Sequence, residues 1–227
     1  MALNLGHYLS LLYGEQYSEE LAARLHDRLR AFTARNPQFQ SITRQRITER
    51  DTILITYGDM IRQEGVKPVR ALGNLLREYL EGIVSTVHIL PFYPYSSDDG
   101  FSVIDYTSVA PHLGAWSDIS DIGADFRLMF DAVLNHVSAS SAWFQSFLNN
   151  DPLYEDYFLT IPSGRDISSI FRPRSTPITT QYQSCTGPRS VWTTFGPDQV
   201  DLNYGNPELL FEIIDVLLLY VEQGAEF

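Results

Sequence analysis

At 227 residues, 44% apolar, 13% aromatic and 19% charged, the chain has the make-up of a folded globular protein and too many large apolar residues for a disordered one. Sixteen Lys and Arg against 28 Asp and Glu leave a net charge of −12, which repels phosphate backbones and acidic bilayers and argues against nucleic-acid or membrane partners. The single cysteine, Cys185, excludes a disulfide framework and a multi-thiolate zinc site, and reads as a packed or loosely exposed thiol.

The N-terminus, Met-Ala-Leu-Asn-Leu-Gly-His, has no basic stretch followed by an apolar one. It does not read as a signal peptide, so the cytoplasm is the expected compartment. Residues 1–50 read as a helical extension. Ser18 is the expected cap, Glu19 and Glu20 favour the first turn, and Leu21, Leu25, Leu29 and Phe32 share a face until Asn36-Pro37 stops the helix. Arg24, Arg28 and Arg30 are expected on its solvated side.

From residue 51 the texture changes. Ile53-Leu-Ile-Thr56 is a short apolar run expected as a strand buried on both faces. Pro68 opens a helix with Val69, Leu72, Leu75, Leu76 and Tyr79 on its apolar side. Residues 86–90 read as a second buried strand, 117–122 as a short helix, and 126–130 as a third strand running into Asp131. This alternation is the grammar of βα units around a parallel sheet, an α/β fold. The rhythm then breaks: residues 137–206 are rich in proline and aromatics, and too long for a plain loop, so they read as an inserted subdomain. Asn206-Pro207 caps a strongly apolar helix that Gly224 ends, and residues 225–227 read as the start of a fourth strand. The expected divisions are therefore 1–50, 51–136, 137–206 and 207–227. The most apolar run, 216–221, is far shorter than a membrane span.

In a βα barrel the chemistry sits at the C-terminal ends of the strands. Two segments reach that place: residues 90–106 after the second strand, and Asp131-Ala-Val-Leu-Asn-His136 after the third. A carboxylate, an amide and an imidazole leaving one strand end suit the hydroxyls of a sugar, and nearby aromatics suit the C–H face of its ring. Alone, Asp131 could equally be a buried acid satisfied by the backbone or an arginine, and a lone His is more often structural.

Asp131-Ala-Val-Leu-Asn-His136 resembles the first signature region of the α-amylase (family 13) glycoside hydrolases. Ile55-Thr-Tyr-Gly-Asp59, Val87-His-Ile-Leu-Pro-Phe92, Asp98-Asp-Gly-Phe-Ser-Val-Ile-Asp105, Phe171-Arg-Pro-Arg174 and Val191-Trp-Thr-Thr-Phe-Gly-Pro-Asp-Gln-Val-Asp201 resemble its sucrose phosphorylase-like branch. The resemblance covers residues 53–227. It implies the N-terminal part of a (β/α)8 TIM barrel with a subdomain inserted after strand three. It also implies retaining chemistry with two carboxylates about 5–5.5 Å apart, one attacking the anomeric carbon and one protonating the leaving oxygen. Inorganic phosphate is then the co-substrate, the product is α-glucose 1-phosphate, and no organic cofactor is needed.

By the same resemblance, Asp98 and His136 hold hydroxyls of the glucosyl unit, and Phe101 and Phe195 form an aromatic platform. Asp131 supports by orienting an arginine before the nucleophile, while Arg174 and Gln199 face the acceptor and phosphate site. An arginine fork suits phosphate, although Arg172, Arg174 and Arg189 could equally be structural. The nucleophile and general acid are expected beyond Phe227, so the chain reads as an N-terminal fragment expected to be inactive alone. The extension fits relatives acting on glucosylglycerate or phosphorylated sucrose better than the simplest sucrose phosphorylases. Many amylases bind calcium near an Asn matching Asn135; the phosphorylase branch generally does without it, so no metal is expected. Two alternatives stay open: a family 13 hydrolase or transglucosidase, and a non-catalytic sugar-binding remnant.

Overall fold

The structure, a computed structural model, describes residues 5–41, 47–162, 164–170 and 175–227. Three apolar runs form β1 (Ile53–Thr56), β2 (Thr86–Ile89) and β3 (Arg127–Phe130), hydrogen-bonded in the parallel order β1-β2-β3. Their register pairs Leu54 with Val87 and Val87 with Leu128. Residues 225–227 extend the sheet beside β3, where the Glu226 amide donates to Leu128 O at 2.9 Å and the Phe130 amide to Phe227 O at 3.1 Å.

The helices between the strands are α3 (Pro68–Tyr79), α4 (Trp116–Gly123) and, further along, α6 (Pro207–Glu222). Val69, Leu72 and Leu76 of α3, Ile119 and Ile122 of α4, and Leu209, Ile213 and Val216 of α6 join Val87, Ile89 and Leu128 in one buried cluster. Full burial of each such side chain contributes about 1.5–3 kcal/mol. Tyr79, expected on the apolar side of α3, is instead 63% exposed at the helix end.

Strand β1 corrects a second expectation. Its register places Ile53 and Ile55 on the sheet face opposite the helices, with His88 and Met129. They are 42% and 62% exposed, so β1 is not buried on both faces. The run reads as doubly buried because a barrel strand needs apolar residues inside and out. Among the described residues the sheet does not close, and the inward side stays open.

The N-terminal extension is helical as expected, a hairpin of α1 (Leu5–Tyr13) and α2 (Glu15–Arg35). Gly14, at φ 91°, makes the turn between them, so α2 starts before Ser18. Ser18 is therefore no cap; its hydroxyl donates to Glu15 O within the helix. Leu9, Leu21 and Leu25 pack with Phe211 of α6. Arg24 and Arg28, expected in solvent, also turn to α6. Arg24 forks onto Glu208 at 2.8 and 2.7 Å, Arg28 meets Asp215 at 3.2 Å, and both guanidinium groups lie over the Phe211 ring at 4.3 and 4.5 Å. Only Arg30 keeps the expected position, 77% exposed at its side chain. The bond from Arg24 holds the Glu208 carboxyl below its ordinary range. The pairing is thus complete at neutral pH and lost as pH falls through that lowered value. Arg24→Ala with Arg28→Ala is expected to weaken hairpin docking by about 1–2 kcal/mol, since each cation contributes ring contact as well as an exposed ion pair. Hydrogen exchange should then quicken in α1 and α2 and not in β2.

Between β3 and α6 the pairing becomes antiparallel. Strand β4 (His136–Ser138) pairs with β7 (Gln199–Asp201), and β5 (Thr179–Ser184) with β6 (Gly187–Trp192). Helix α5 (Ala142–Leu148) is capped by Ser141, whose hydroxyl accepts from the Phe144 amide at 3.2 Å. Phe144, Phe147, Phe158 and Val191 of this region share the buried cluster with β2 and β3. Cys185, at the β5–β6 turn, is exposed, and the Asn150 amide donates to its sulfur at 2.9 Å.

Candidate active site

The loop after β2 folds back so that Tyr95 bridges Val103 and the Ser96 amide donates to Ser102 O at 3.1 Å. Its tip holds three successive positive φ angles, 57° at Asp98, 49° at Asp99 and 105° at Gly100. The two aspartates pay a conformational cost that such residues carry chiefly at functional positions. Gly100 is obligatory, because a Cβ there would stand 2.5 Å from Pro91 O. This tight turn exposes the Asp98 carboxylate. The Gln199 amide, on β7, donates to its Oδ2 at 2.7 Å.

His136 opens β4 and is 6% exposed. Its Nε2 lies 3.0 Å from Phe101 O, which only accepts, so Nε2 carries the proton in this bond. The Phe195 ring stands 4.9 Å from the imidazole. Asp98, Phe101, His136, Phe195 and Gln199, five residues singled out in the sequence, thus form one neighbourhood from three separate segments. Gln199 is 5% exposed, and its amide is engaged with Asp98. Arg174, with Arg172, lies outside the described residues. Arg189 is engaged with Asn150 and lies 4.6 Å over the Phe147 ring, which makes it structural.

Residues 131–136 are held by tyrosine hydroxyls. Tyr93 donates to Asp131 O at 3.3 Å, Tyr106 to Val133 O at 2.7 Å and His136 O at 3.0 Å, and Tyr204 to Leu134 O at 2.6 Å. The Leu202 amide covers Asn135 O at 3.1 Å. Burial pushes the phenols of Tyr93 and Tyr106 far up and that of Tyr204 to about 12, so all three remain donors. The Asp131 carboxylate, at the base, meets His88 Nε2 at 2.9 Å. His88 and the tyrosine hydroxyls escaped the sequence reading. The one available signal was His88 itself, a lone imidazole inside an apolar strand.

A carboxylate, a buried imidazole with a fixed tautomer and the Phe195 ring make a polar surface with an aromatic edge, suited to a neutral polyol. Among the described residues, no group of three His, Cys, Asp or Glu is placed to hold a metal, and no helix is long and apolar enough to cross a membrane.

The family described as the catalytic domain of alpha amylase matches residues 76–226. The chain belongs to the α-amylase catalytic-domain family. Its parallel sheet and the helices packed on it are the N-terminal part of the (β/α)8 barrel of that family. A glucosylglycerate phosphorylase of Spirochaeta thermophila is 50% identical over 221 residues, covering 96% of this chain and 38% of that one. A sucrose phosphorylase of Bifidobacterium adolescentis is 35% identical over 176 residues, covering 71% and 34%. The crystal structure of a sucrose 6F-phosphate phosphorylase from Thermoanaerobacter thermosaccharolyticum superposes with a TM-score of 0.71 at 29% identity, covering 79% of this chain and 39% of that one. The chain thus spans about 38% of the length of the glucosylglycerate phosphorylases it matches.

Proposed function

We propose that this α-amylase-family chain supplies the glucosyl-binding half of an α-glucoside phosphorylase, with glucosylglycerate as the substrate. The extent of the likeness carries the reading. A match covering 96% of the chain leaves 4% of 227, about nine residues, so it runs through most of the α1–α2 hairpin; the sucrose phosphorylase match covers 71%.

Asp98 accepts from a glucosyl hydroxyl while Gln199 holds it, and His136, fixed through Phe101 O, binds a second. Phe101 and Phe195 flank the ring. Asp131, steadied by His88, orients an arginine of the fourth strand, and Arg174 meets phosphate or the acceptor. The rest of the barrel supplies the nucleophilic carboxylate and the general acid. The nucleophile displaces glycerate with its oxygen protonated by the acid, and phosphate then displaces the enzyme carboxylate to give α-glucose 1-phosphate with retention. Residues 137–206 form the inserted lobe that brings Phe195 and Gln199 to the site. Phosphate and the glucoside are the only small molecules required.

The test joins residues 1–227 to the remaining length of the Spirochaeta thermophila relative. This barrel-completed protein is expected to release glucose 1-phosphate from glucosylglycerate in proportion to phosphate, and to favour it over sucrose. Phosphate-independent release of free glucose would replace the proposal with a hydrolase. The 227-residue chain alone is expected to show no turnover, and turnover by it would contradict the division of catalytic groups.

A further inference from the structure

Asp198 belongs to none of the groups assigned above, yet it gathers the hydroxyls around it. Ser96 and Ser97 donate to its Oδ2 at 2.5 and 2.6 Å. The Ser102 hydroxyl stands 3.0 Å from the same oxygen and 2.6 Å from the Asp198 main-chain oxygen. The Ser138 hydroxyl, on β4, is 2.6 Å from Ser96 Oγ and 3.4 Å from Asp198 Oδ1. These serines bracket the strained tip: Ser96 and Ser97 precede Asp98, and Ser102 follows Phe101. On the other side, Asp198 adjoins Gln199, whose amide reaches Asp98, and Ser138 lies two residues beyond His136. Burial works to raise the Asp198 carboxyl, but the hydroxyls of Ser96, Ser97 and Ser102 outweigh it and keep it ionised below its ordinary range. Hydroxyl-to-carboxylate bonds of this length are among the stronger neutral-to-charged contacts in proteins.

We propose that Asp198 is a positioning residue, a carboxylate clamp that holds the left-handed Asp98-Asp99-Gly100 tip against β4 and β7 and so presents Asp98 to substrate. The unfavourable φ angles at Asp98 and Asp99 need an external restraint, and a single anion tied to both stems of the loop provides it. The functional half of this inference rests on the assignment of Asp98 to the glucosyl site; the mechanical half does not.

Two measurements separate those halves. In the 227-residue chain, Asp198→Ala is expected to speed hydrogen exchange of the Ser96, Phe101 and Ile104 amides by about tenfold or more, with β2 and β3 at wild-type protection. In the barrel-completed protein, Asp198→Ala is expected to lower kcat/KM about tenfold. In an Asp98→Ala background the same change should cost less than about twofold, because the clamp acts through Asp98. Unchanged exchange in the loop overturns the clamp whatever the enzyme does. Exchange that quickens equally in β2 and β3, or a full tenfold loss persisting without Asp98, reduces Asp198 to a general stabiliser and also overturns it. If the loop loosens and Asp98→Ala is costly while Asp198→Ala is silent, the positioning role falls. If the loop loosens and both variants are silent, the assignment of Asp98 falls and the mechanical clamp stands. Should Asp198→Ala not accumulate folded, the isosteric Asp198→Asn is read by the same exchange, with smaller acceleration confined to the loop as the supporting result and none as the opposing one.

Discussion

His136→Ala in the barrel-completed protein is expected to lower kcat/KM for phosphorolysis by about 10²–10³-fold, as loss of one preorganised hydrogen-bonding group in an active site does. The imidazole is 6% exposed, and two contacts set its orientation, the bond to Phe101 O at 3.0 Å and the Phe195 ring at 4.9 Å. Its main chain is fixed as well, by the Tyr106 hydroxyl on His136 O and by pairing with Asp201. A side chain held this firmly loses little freedom when substrate arrives, so its contribution falls mainly on orientation in the transition state. His136→Gln can still donate from its amide nitrogen to Phe101 O and is expected to recover part of the loss. Steady-state kinetics with glucosylglycerate and phosphate provide the check. A His136→Ala enzyme within threefold of wild type would remove His136 from the substrate site.

Much of this neighbourhood was legible in the sequence, because its residues sit where local signals are strong. The apolar runs that became β2 and β3 end directly before the loops that bear Asp98 and Asp131. Asn206-Pro207 announced α6, where the Asn206 side chain accepts from the Glu208 amide at 3.0 Å. What escaped was non-local. Ser97 and Asp198 are 101 residues apart, and Arg24 and Glu208 are 184 apart. No periodicity or capping rule links such positions. Ile55 misled for a related reason: its apolar character records the barrel interior it is built to face, not the surroundings the described residues provide. Ser18 misled because Gly14 supplied the turn that a capping side chain would otherwise mark.

Phe144→Ala is expected to destabilise the chain by about 3–5 kcal/mol, the range for deleting a fully buried phenyl ring. Phe144 has no solvent exposure and meets Phe147, Phe158 and Tyr182 at ring-centre distances of 5.5, 4.9 and 4.8 Å, the last two edge-on. The surroundings have little freedom to collapse into the vacated space. Helix α5 is pinned at its start by Ser141 and at its end by the bond from the Cys185 amide to Leu148 O at 2.9 Å. Because the cluster is continuous from α5 to β2 and β3, the loss is expected as a lower denaturant midpoint of a single transition, not as a separate early one. Tyr79→Ala, on the 63% exposed end of α3, serves as the contrast and is expected to stay within about 0.5 kcal/mol. The damage at Phe144 should also reach the site. Strand β6 leads directly to Phe195 and Gln199, so a loosened α5–β5–β6 base releases the two residues that flank His136 and hold Asp98. A second, earlier transition in Phe144→Ala would show instead that residues 136–206 unfold apart from the sheet, and that the site joins two independent units.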